Sequence, residues 1–317
     1  LTVNLGMALY PDRDVVLLNS DTEVYGDWLE RLNRLVHSDA KFGTATPLSN
    51  NAEICSYPHW LQDNPMQLES GYETLDRLAS HTNQGEFVEA PTAVGFCMYI
   101  RRNCLTEVGP FDERFAAGYG EENDFCLRAT EEGWTHVIAG NVFVRHVGAV
   151  SFGNKTRRRR RRALRLIKKR FPEYETLIEE YIQRDPLKRI RQRLDTARLI
   201  EADASLQQPN KAMLFVVHTW GGGIEHHVTE MEQALRIEGV RVYILRPDSS
   251  EETSLGSKLS QRFEIFNTPS LDSMPLRGDT SSLVGTLKQL EISHIHIHHI
   301  GGFPDLAIDD LRRLALT

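Results

Sequence analysis

The chain has 317 residues, of which 37 are Lys or Arg and 44 are Asp or Glu, so its formal net charge is −7. Hydrophobic residues make up 40% and charged residues 26%, which is typical of globular proteins and excludes a wholly disordered, collagen-like or disulfide-scaffold chain. The length predicts about two domains of roughly 150 residues, and the acidic balance argues against a nucleic-acid-binding protein.

The four cysteines indicate a reducing compartment. Cys55, Cys97, Cys104 and Cys126 have no C-x-x-C spacing. We therefore expect reduced packing residues in a cytoplasmic protein rather than a zinc site. The apolar runs are also far shorter than the ~18 residues of a membrane-spanning helix.

The first part of the chain, to about residue 152, predicts an α/β domain that begins in a helix-like stretch. Val15–Leu18 is a continuous apolar run, typical of a strand buried on both faces of a parallel sheet. Further strands are predicted at residues 96–100 and 135–139. An amphipathic helix is predicted after the first of these strands, with an apolar stripe of Trp28, Leu29, Leu32, Leu35 and Val36.

A basic segment joins two acidic parts of the chain. Residues 155–193 contain sixteen Lys or Arg and five acidic residues, a net charge of +11, whereas the remainder carries −18. Residues 154–208 predict a helical linker that Pro172 and Pro186 break into pieces. Leu164, Ile167 and Phe171 recur at helical spacing, so the linker has a face to bury.

The last part of the chain returns to an α/β pattern. Strands are predicted at residues 213–218, 240–245, 263–266 and 292–298, and helices at residues 224–237 and 282–290. The first of these helices has an inward face of Ile224, Val228, Met231 and Leu235. Strand, glycine-rich loop, helix and strand in this order are typical of the start of a doubly wound sheet.

Three segments of the first part could carry chemistry. Asp21 follows the first predicted strand, where a carboxylate can hold a divalent cation against a diphosphate or simply cap the next turn. Glu121, Glu122 and Asp124 lie within four positions. Their mutual repulsion can raise the pKa of a general base, they can bind a cation, or they can form a solvated helix N-terminus, which the pattern alone favours. A single His such as His146 is more often a packing or surface residue than a ligand, so it is a candidate site residue only as a partner of Asp21.

Together, these segments resemble glycosyltransferase family 2, which has the GT-A fold. Asn19, Ser20 and Asp21 are similar to the Asp-x-Asp motif, with Asn in place of the first Asp. Residues 121–128 are similar to the Glu-Asp-x-Asp-Leu-Cys-x-Arg signature of the family. The resemblance covers about residues 1–153 and predicts a GT-A domain there.

The resemblance implies an inverting transferase that moves a sugar from a nucleotide-diphospho-sugar to a glycan or lipid-linked acceptor in surface polysaccharide synthesis. It implies that Asn19, Asp21 and His146 hold the donor diphosphate, with Mg²⁺ or Mn²⁺ bound by Asp21 and His146. The catalytic base is then Glu122 or Asp124, with Glu121 beside them, and Gly95 lies on the acceptor side. Because the nucleotide-binding strands of the family would precede Leu1, we expect a fragment that binds sugar nucleotides weakly by itself.

Gly221, Gly222 and Gly223 lie between a predicted strand and a predicted helix. Such a loop lets backbone N–H groups approach a phosphate or sugar, or it forms a tight turn that needs positive φ. Residues 211–317 resemble the N-terminal half of family 4 glycosyltransferases, of GT-B fold. This resemblance predicts a Rossmann-like GT-B half at residues 209–317, in which the glycine loop and His298 line a cleft.

Two further patterns leave alternatives open. His294, His296 and His298 lie on one face of a predicted strand, where they could bind zinc, but in-line strand residues seldom converge on one ion, so cleft lining is preferred. The run Arg157, Arg158, Arg159, Arg160, Arg161 and Arg162 could bind nucleic acid or an anionic membrane, or form a solvated helix that docks on the acidic domains. The acidic bulk favours the last, and no nucleic-acid partner is expected.

We therefore predict a cytoplasmic glycosyltransferase with peripheral contact to the inner face of the cell membrane. The alternative is a non-catalytic scaffold that binds glycans or a membrane surface. Asn19 and Glu122 support that alternative, because both depart from the motifs of the family.

Overall fold

The computed structural model describes residues 2–65, 68, 70–115, 120–148, 155–205, 211–218, 220, 222–247, 262–268, 274–303, 309 and 311–312. The chain divides into two compact units, Leu1–Arg191 and Gln192–Thr317.

The first unit contains the following elements in chain order: α1 (Thr2–Ala8), β1 (Val15–Leu18), β2 (Thr22–Glu23), α2 (Trp28–Val36), β3 (Phe42–Leu48), α3 (Tyr72–Thr82), β4 (Phe87–Ala90), β5 (Cys97–Ile100), α4 (Arg102–Val108), α5 (Glu121–Glu131), β6 (Thr135–Phe143), β7 (Arg145–His146), α6 (Lys155–Arg170), α7 (Tyr174–Arg184) and the start of α8 (Lys188–Ser205). The predicted strands at residues 96–100 and 135–139 are confirmed as β5 and β6, and the predicted amphipathic helix is α2. Its inward face is narrower than predicted, because Leu29 is exposed.

The main sheet of this unit is mixed rather than parallel. Its strand order is β1-β5-β3-β6-β4, in which β3 and β6 are parallel and the other neighbours are antiparallel. The strand at Val15–Leu18 is confirmed, but the prediction that it is buried on both faces is wrong. Leu18 is 43% exposed, because β1 lies at the edge of the sheet among the described strands and pairs there with β5.

A buried ion pair joins α2, α3 and β6. Arg31 contacts Asp76 at 2.5 Å (Nη2 to Oδ2) and 3.1 Å (Nη1 to Oδ1) and also donates to the Asn141 carbonyl. Asp76 Oδ1 accepts a 2.9 Å hydrogen bond from the Phe143 backbone N–H. Burial raises the pKa of Asp76, although Arg31 opposes the shift. Both charges lose their hydration on burial, and the ion pair compensates for that loss. Removing either side chain would leave the other buried charge without this compensation.

The cysteines behave as packing residues. Cys55, Cys97, Cys104 and Cys126 are all free and buried, as predicted. Burial raises the pKa of the Cys97 and Cys104 thiols to about 12, so both groups stay protonated near neutral pH.

Residues 155–170, 174–184 and 188–205 form helices α6, α7 and α8, so the predicted helices and the breaks at both prolines are observed. Helix α6 packs Ile167 and Phe171 against Phe115 and Leu127 in one cluster. The predicted contribution of Leu164 to this face is wrong. Its side chain is 37% exposed, and Ala163, one position earlier on the helix, is buried in its place.

The second unit holds the rest of α8 and a second five-stranded sheet. Its elements are β8 (Ala212–Val216), α9 (Gly223–Ile237), β9 (Arg241–Pro247), β10 (Arg262–Thr268), β11 (Met274–Asp279), α10 (Thr280–Gln289) and β12 (Ile292–Ile297). Strands β12, β8 and β9 are parallel neighbours, whereas β10 and β11 continue the sheet in antiparallel pairs. The predicted strands and helices are therefore confirmed, and three of the five strands described in this unit are parallel neighbours.

The inward face of α9 is confirmed. Val228 is buried, and Ile224, Met231 and Leu235 pack around the same cluster, which contains Phe215. In the described part of the chain, no helix has both the length and the apolarity needed to span a bilayer.

We predict that Asp76→Ala lowers the free energy of unfolding by about 3–5 kcal/mol, because it leaves the buried Arg31 guanidinium with only the half-exposed Asp27 carboxylate, 2.8 Å from its Nε, as a counter-ion. Urea denaturation measures this loss. The matched control is Arg34→Ala, which removes an exposed ion pair to Asp27 and should cost at most about 1 kcal/mol. Equal losses for the two variants would contradict the inference that the buried Arg31–Asp76 pair stabilises the fold more than the exposed Arg34–Asp27 pair does.

Candidate functional site

The turn after β1 brings together two predicted site residues that are far apart in the sequence. Strand β2 pairs antiparallel with β7, with Thr22 opposite His146. The Val147 backbone N–H also donates to the Asp21 carbonyl at 2.9 Å. As a result, Asp21 Oδ2 lies 3.6 Å from His146 Nε2.

The His146 ring is held in one orientation. Its Nδ1 lies 2.7 Å from the Asn51 carbonyl, which can only accept, so the ring proton of neutral His146 lies on Nδ1 and the Nε2 lone pair is free to face Asp21. The Phe96 ring stacks on the imidazole with a centroid distance of 5.3 Å. Asn50 fixes the backbone of His146 through hydrogen bonds of 2.8 and 2.9 Å.

Asp21 and His146 fit two of the positions around a divalent cation. Two ligand atoms that bind the same cation at about 2.1 Å lie roughly 3 Å apart. The distance of 3.6 Å between Asp21 Oδ2 and His146 Nε2 is slightly longer than this. Among the described residues no group of three His, Cys, Asp or Glu could hold a metal ion. The pair would therefore leave the remaining positions to oxygens of a substrate and of water.

Asn19 serves the turn through its backbone. Its N–H donates to the Phe96 carbonyl at 2.9 Å, and its carbonyl accepts a 2.7 Å hydrogen bond from Thr22 Oγ1. The Asn19 side chain is exposed. Its contribution to the structure is therefore the shape of the loop that presents Asp21.

The acidic cluster forms the first turn of α5, so the prediction of a helix N-terminus is confirmed, but the prediction that it is solvated is wrong, because Asp124 is fully buried. The helix begins at Glu121, directly after Gly120, which has φ of +87°. Carboxylates are favoured there because the N-terminal N–H groups point at them. The three acids, however, lie in different surroundings.

Asp124 is fully buried and compensated by two cations. Its Oδ2 contacts Arg128 Nε at 2.8 Å, and its Oδ1 contacts Arg170 Nη1 at 3.1 Å. Arg128 also donates to the Val108 and Pro110 carbonyls. Both oxygens of Asp124 are therefore occupied by structural ion pairs.

The Glu122 carboxyl group accepts hydrogen bonds from the Gly120 and Glu122 backbone N–H groups, and among the described residues no cation is paired with it. A Cβ atom placed on Gly95 would lie 3.6 Å from Glu122 Cδ, an ordinary van der Waals distance, so the Glu122 carboxyl group lies beside Gly95. Burial raises the pKa of Glu122 to about 7, and the charge of Glu121 adds to the shift. A carboxyl group that titrates near neutral pH can accept and release a proton under physiological conditions.

Two residues that contact the acidic cluster were not predicted, because they belong to no recognisable sequence motif. Arg170 reaches Asp124 from α6, and the Tyr174 hydroxyl accepts a 3.1 Å hydrogen bond from Asn123 Nδ2. The signal that could have located them is the apolar spacing of Ile167 and Phe171, which requires α6 to pack on a neighbour.

In the second unit, Gly222 has φ of +91° and precedes α9, as a tight turn would require. A Cβ on Gly222 or Gly223 would find no atom within 4 Å. Gly221 lies outside the described residues. His298 is half-buried with its ring 4.8 Å from Phe215, and burial and the neighbouring His296 and His227 lower its pKa.

The comparison with protein families agrees with the first unit. The model described as "Glycosyltransferase like family 2" matches residues 3–164, which is just over half of the chain. The chain therefore belongs to this family. The match includes Asp21, Gly95, Glu122 and His146, and the mixed α/β sheet is consistent with a GT-A-like domain. The chain matches none of the curated proteins with which it was compared.

We predict that Glu122→Gln raises the Tm at pH 8 and leaves it unchanged at pH 4. The folded protein keeps the Glu122 proton up to pH about 7, whereas an unfolded chain releases it near the ordinary value of 4.5. The buried carboxylate therefore destabilises the fold as the pH rises through this interval.

Differential scanning calorimetry at the two pH values measures the shift. Glu73→Gln is the control, since Glu73 is exposed in the first turn of α3 and its charge favours that helix. It should not raise the Tm. An identical effect of Glu122→Gln at pH 4 and pH 8 would be evidence against the raised pKa.

Proposed function

We propose that the first unit transfers a sugar, with inversion, from a nucleotide-diphospho-sugar to a hydroxyl of a glycan or lipid-linked acceptor in surface polysaccharide synthesis. One observation carries the proposal. Gly95 lies against the Glu122 carboxyl group, and the next residue, Phe96, stacks on His146. A group that titrates near neutral pH and a candidate pair of metal ligands therefore flank a single dipeptide in a glycosyltransferase family 2 domain.

The Asp21–His146 pair supports a site for Mg²⁺ or Mn²⁺ beside the donor diphosphate. When bound, such a cation neutralises the negative charge that develops on the departing diphosphate. Asp21 contributes a negative charge, and His146 contributes a lone pair whose direction is set by Asn51. The backbone hydrogen bonds of Asn19 to Phe96 and Thr22 fix the loop that carries Asp21.

Glu122 is the proposed catalytic base. It takes the proton from the acceptor hydroxyl as the oxygen attacks the anomeric carbon and the bond to the diphosphate breaks. Its pKa of about 7 supports this role. Asp124, the alternative base, is a poorer candidate because Arg128 and Arg170 occupy its two oxygens.

A membrane-bound acceptor is supported by the outer face of α6. Arg161, Arg162, Arg165, Lys168 and Lys169 are all exposed. The opposite face of the helix is buried through Ala163 and Ile167, so the cations project outward from an anchored helix. We propose that this basic face lies on anionic lipid headgroups and brings the first unit to its acceptor.

The second unit is proposed to be the N-terminal half of a family 4-like GT-B domain. The parallel strands β12, β8 and β9 and the positive φ of Gly222 before α9 support this assignment. In that case Gly222, Gly223 and His298 line its cleft, with Gly221 beside them.

We predict that Glu122→Gln lowers kcat for sugar transfer by about 10²–10⁴-fold, because the amide cannot take the proton that the proposed base accepts beside Gly95. Asp21→Asn should raise the Mg²⁺ or Mn²⁺ concentration needed for half-maximal rate. In the unsubstituted protein the rate should rise with pH through about 7. Transfer is measured with a panel of nucleotide-sugars, and Glu73→Gln is the control. Unaltered transfer in both site variants would show that the site assignment is wrong, whereas no transfer by the unsubstituted protein would favour the non-catalytic scaffold.

We predict that the protein sediments with vesicles of phosphatidylglycerol and phosphatidylcholine and that the variant Arg161→Glu/Arg162→Glu/Arg165→Glu does not. Each basic residue near such a surface contributes about 1 kcal/mol. Arg13→Glu/Arg34→Glu/Lys41→Glu is the matched control, since it makes the same change in net charge at exposed positions away from α6. Equal loss in both triple variants, or binding of a duplex oligonucleotide in place of vesicles, would contradict the proposal.

A further inference from the structure

The candidate metal ligands Asp21 and His146 meet at a very short ribbon of two strands. Strands β2 and β7 contain two residues each and form a sheet of their own, with Thr22 opposite His146 and Glu23 opposite Arg145. A two-stranded ribbon by itself is marginally stable at best in water. The approach of Asp21 to His146 therefore depends on contacts that hold the β2–β7 ribbon closed.

The two faces of the β2–β7 ribbon have different neighbours. Successive residues of a strand point to opposite faces, so Arg145 and His146 lie on opposite sides of β7. The His146 ring contacts Asp21 and Phe96. The Arg145 side chain contacts Glu23 and a ring from α3. Arg145 thus supports the ribbon from the face opposite the candidate metal ligand His146.

A cross-strand ion pair joins β2 to β7 on that second face. Arg145 Nη1 lies 2.6 Å from Glu23 Oε1, and the Tyr25 hydroxyl donates a 2.7 Å hydrogen bond to Glu23 Oε2. Opposite charges placed directly across an antiparallel pair stabilise it. The hydrogen bonds from Tyr25 and Arg145 also lower the pKa of Glu23, so this carboxylate is charged at neutral pH.

Arg145 is also anchored to the body of the first unit. Its guanidinium carbon lies 5.0 Å from the centre of the Tyr72 ring, a cation–π contact. Tyr72, the first residue of α3, is stacked on the buried Phe143 ring with 5.9 Å between the ring centres. The Phe143 backbone N–H donates in turn to Asp76 of the buried ion pair. A continuous series of contacts therefore joins the core to the β2–β7 ribbon.

The double contact of Arg145 gives it more influence than an ordinary surface charge. The Arg145 and Glu23 side chains are 36% and 48% exposed, and a simple ion pair at this exposure contributes little. Here one planar guanidinium stacks on Tyr72 while it donates to Glu23, a combination that suits arginine. The ribbon is therefore fixed to α3 through a single side chain of β7.

We propose that Arg145 is a positioning residue for metal binding: through Glu23 and Tyr72 it closes the β2–β7 ribbon and sets the separation of Asp21 from His146. It acts without contact to the cation. The inference rests on the proposed function for the presence of a divalent cation at these two ligands. Residues that orient metal ligands change metal affinity by about 10–100-fold when they are replaced.

Mn²⁺ binding to the full chain tests this role through the direction of two effects. By charge alone, Arg145→Ala would strengthen Mn²⁺ binding, because it removes a positive charge near the cation, and Glu23→Ala would weaken it. The positioning role predicts that both variants raise the Kd for Mn²⁺, by about tenfold. Electron paramagnetic resonance of free Mn²⁺ measures Kd without a substrate. Tighter or unchanged binding in Arg145→Ala would overturn the proposal.

Two further variants separate the Glu23–Arg145 pair from general effects on the fold. The double variant Glu23→Ala/Arg145→Ala should bind Mn²⁺ about as weakly as either single variant, because the same contact is lost in all three. Fully additive effects would contradict the proposal. Arg34→Ala is the matched control, since it removes an exposed ion pair to Asp27, and it should leave Kd unchanged. An equal rise of Kd in this control would also refute a specific role of Arg145.

Hydrogen exchange distinguishes failure of this inference from failure of the proposed metal site. The Val147 backbone N–H donates to the Asp21 carbonyl at 2.9 Å, so its exchange reports on closure of the β2–β7 ribbon. We expect faster exchange of this amide in Arg145→Ala and no change in Arg34→Ala, with Mn²⁺ absent. Absence of Mn²⁺ binding to the unsubstituted chain would refute the metal site, whereas unchanged Val147 exchange in Arg145→Ala would refute the role of Arg145.

Discussion

The buried carboxylate of Asp124 is the constraint on which the candidate site depends. A buried charge is costly unless it is paired, and Asp124 is paired twice, with Arg128 on its own helix and Arg170 from α6. Arg128 extends the network to the carbonyls of Val108 and Pro110, which precede α5 in the chain. The start of α5 is thereby fixed from both sides, and α6 becomes part of the first unit rather than a solvated linker.

This anchoring explains why neighbouring acids differ in chemistry. Glu122 and Asp124 lie in the same helical turn, but Arg128 and Arg170 pair with Asp124, while Glu122 is desolvated beside Gly95. The same type of group therefore becomes a structural ion in one position and a proton acceptor near neutral pH in the other. Gly95 and Phe96 then connect the acid to the Asp21–His146 pair, so the two halves of the site share one rigid dipeptide.

Local patterns were sufficient for elements whose periodicity is strong. The apolar run of β1, the stripe of α2 and the inward face of α9 all correspond to observed elements. Strand β3 was not predicted, because all seven of its residues are buried and include Gly43 and Pro47, so it shows neither alternation nor a β-branched run. Leu18 and Leu164 were predicted to be buried because each is apolar, but edge position and helix rotation leave both exposed.

The resemblance of three segments to glycosyltransferase family 2 was enough to nominate Asp21, Glu122 and His146 as site residues, whereas their local pattern was not, because a carboxylate after a strand or at a helix start can equally cap a turn or a helix N-terminus. The meeting of Asp21 with His146 depends on the β2–β7 pairing, and the difference between Glu122 and Asp124 depends on Arg170. Both contacts join segments distant in the sequence, and a pKa is set by burial and by charges close in space, so no local pattern could assign these roles.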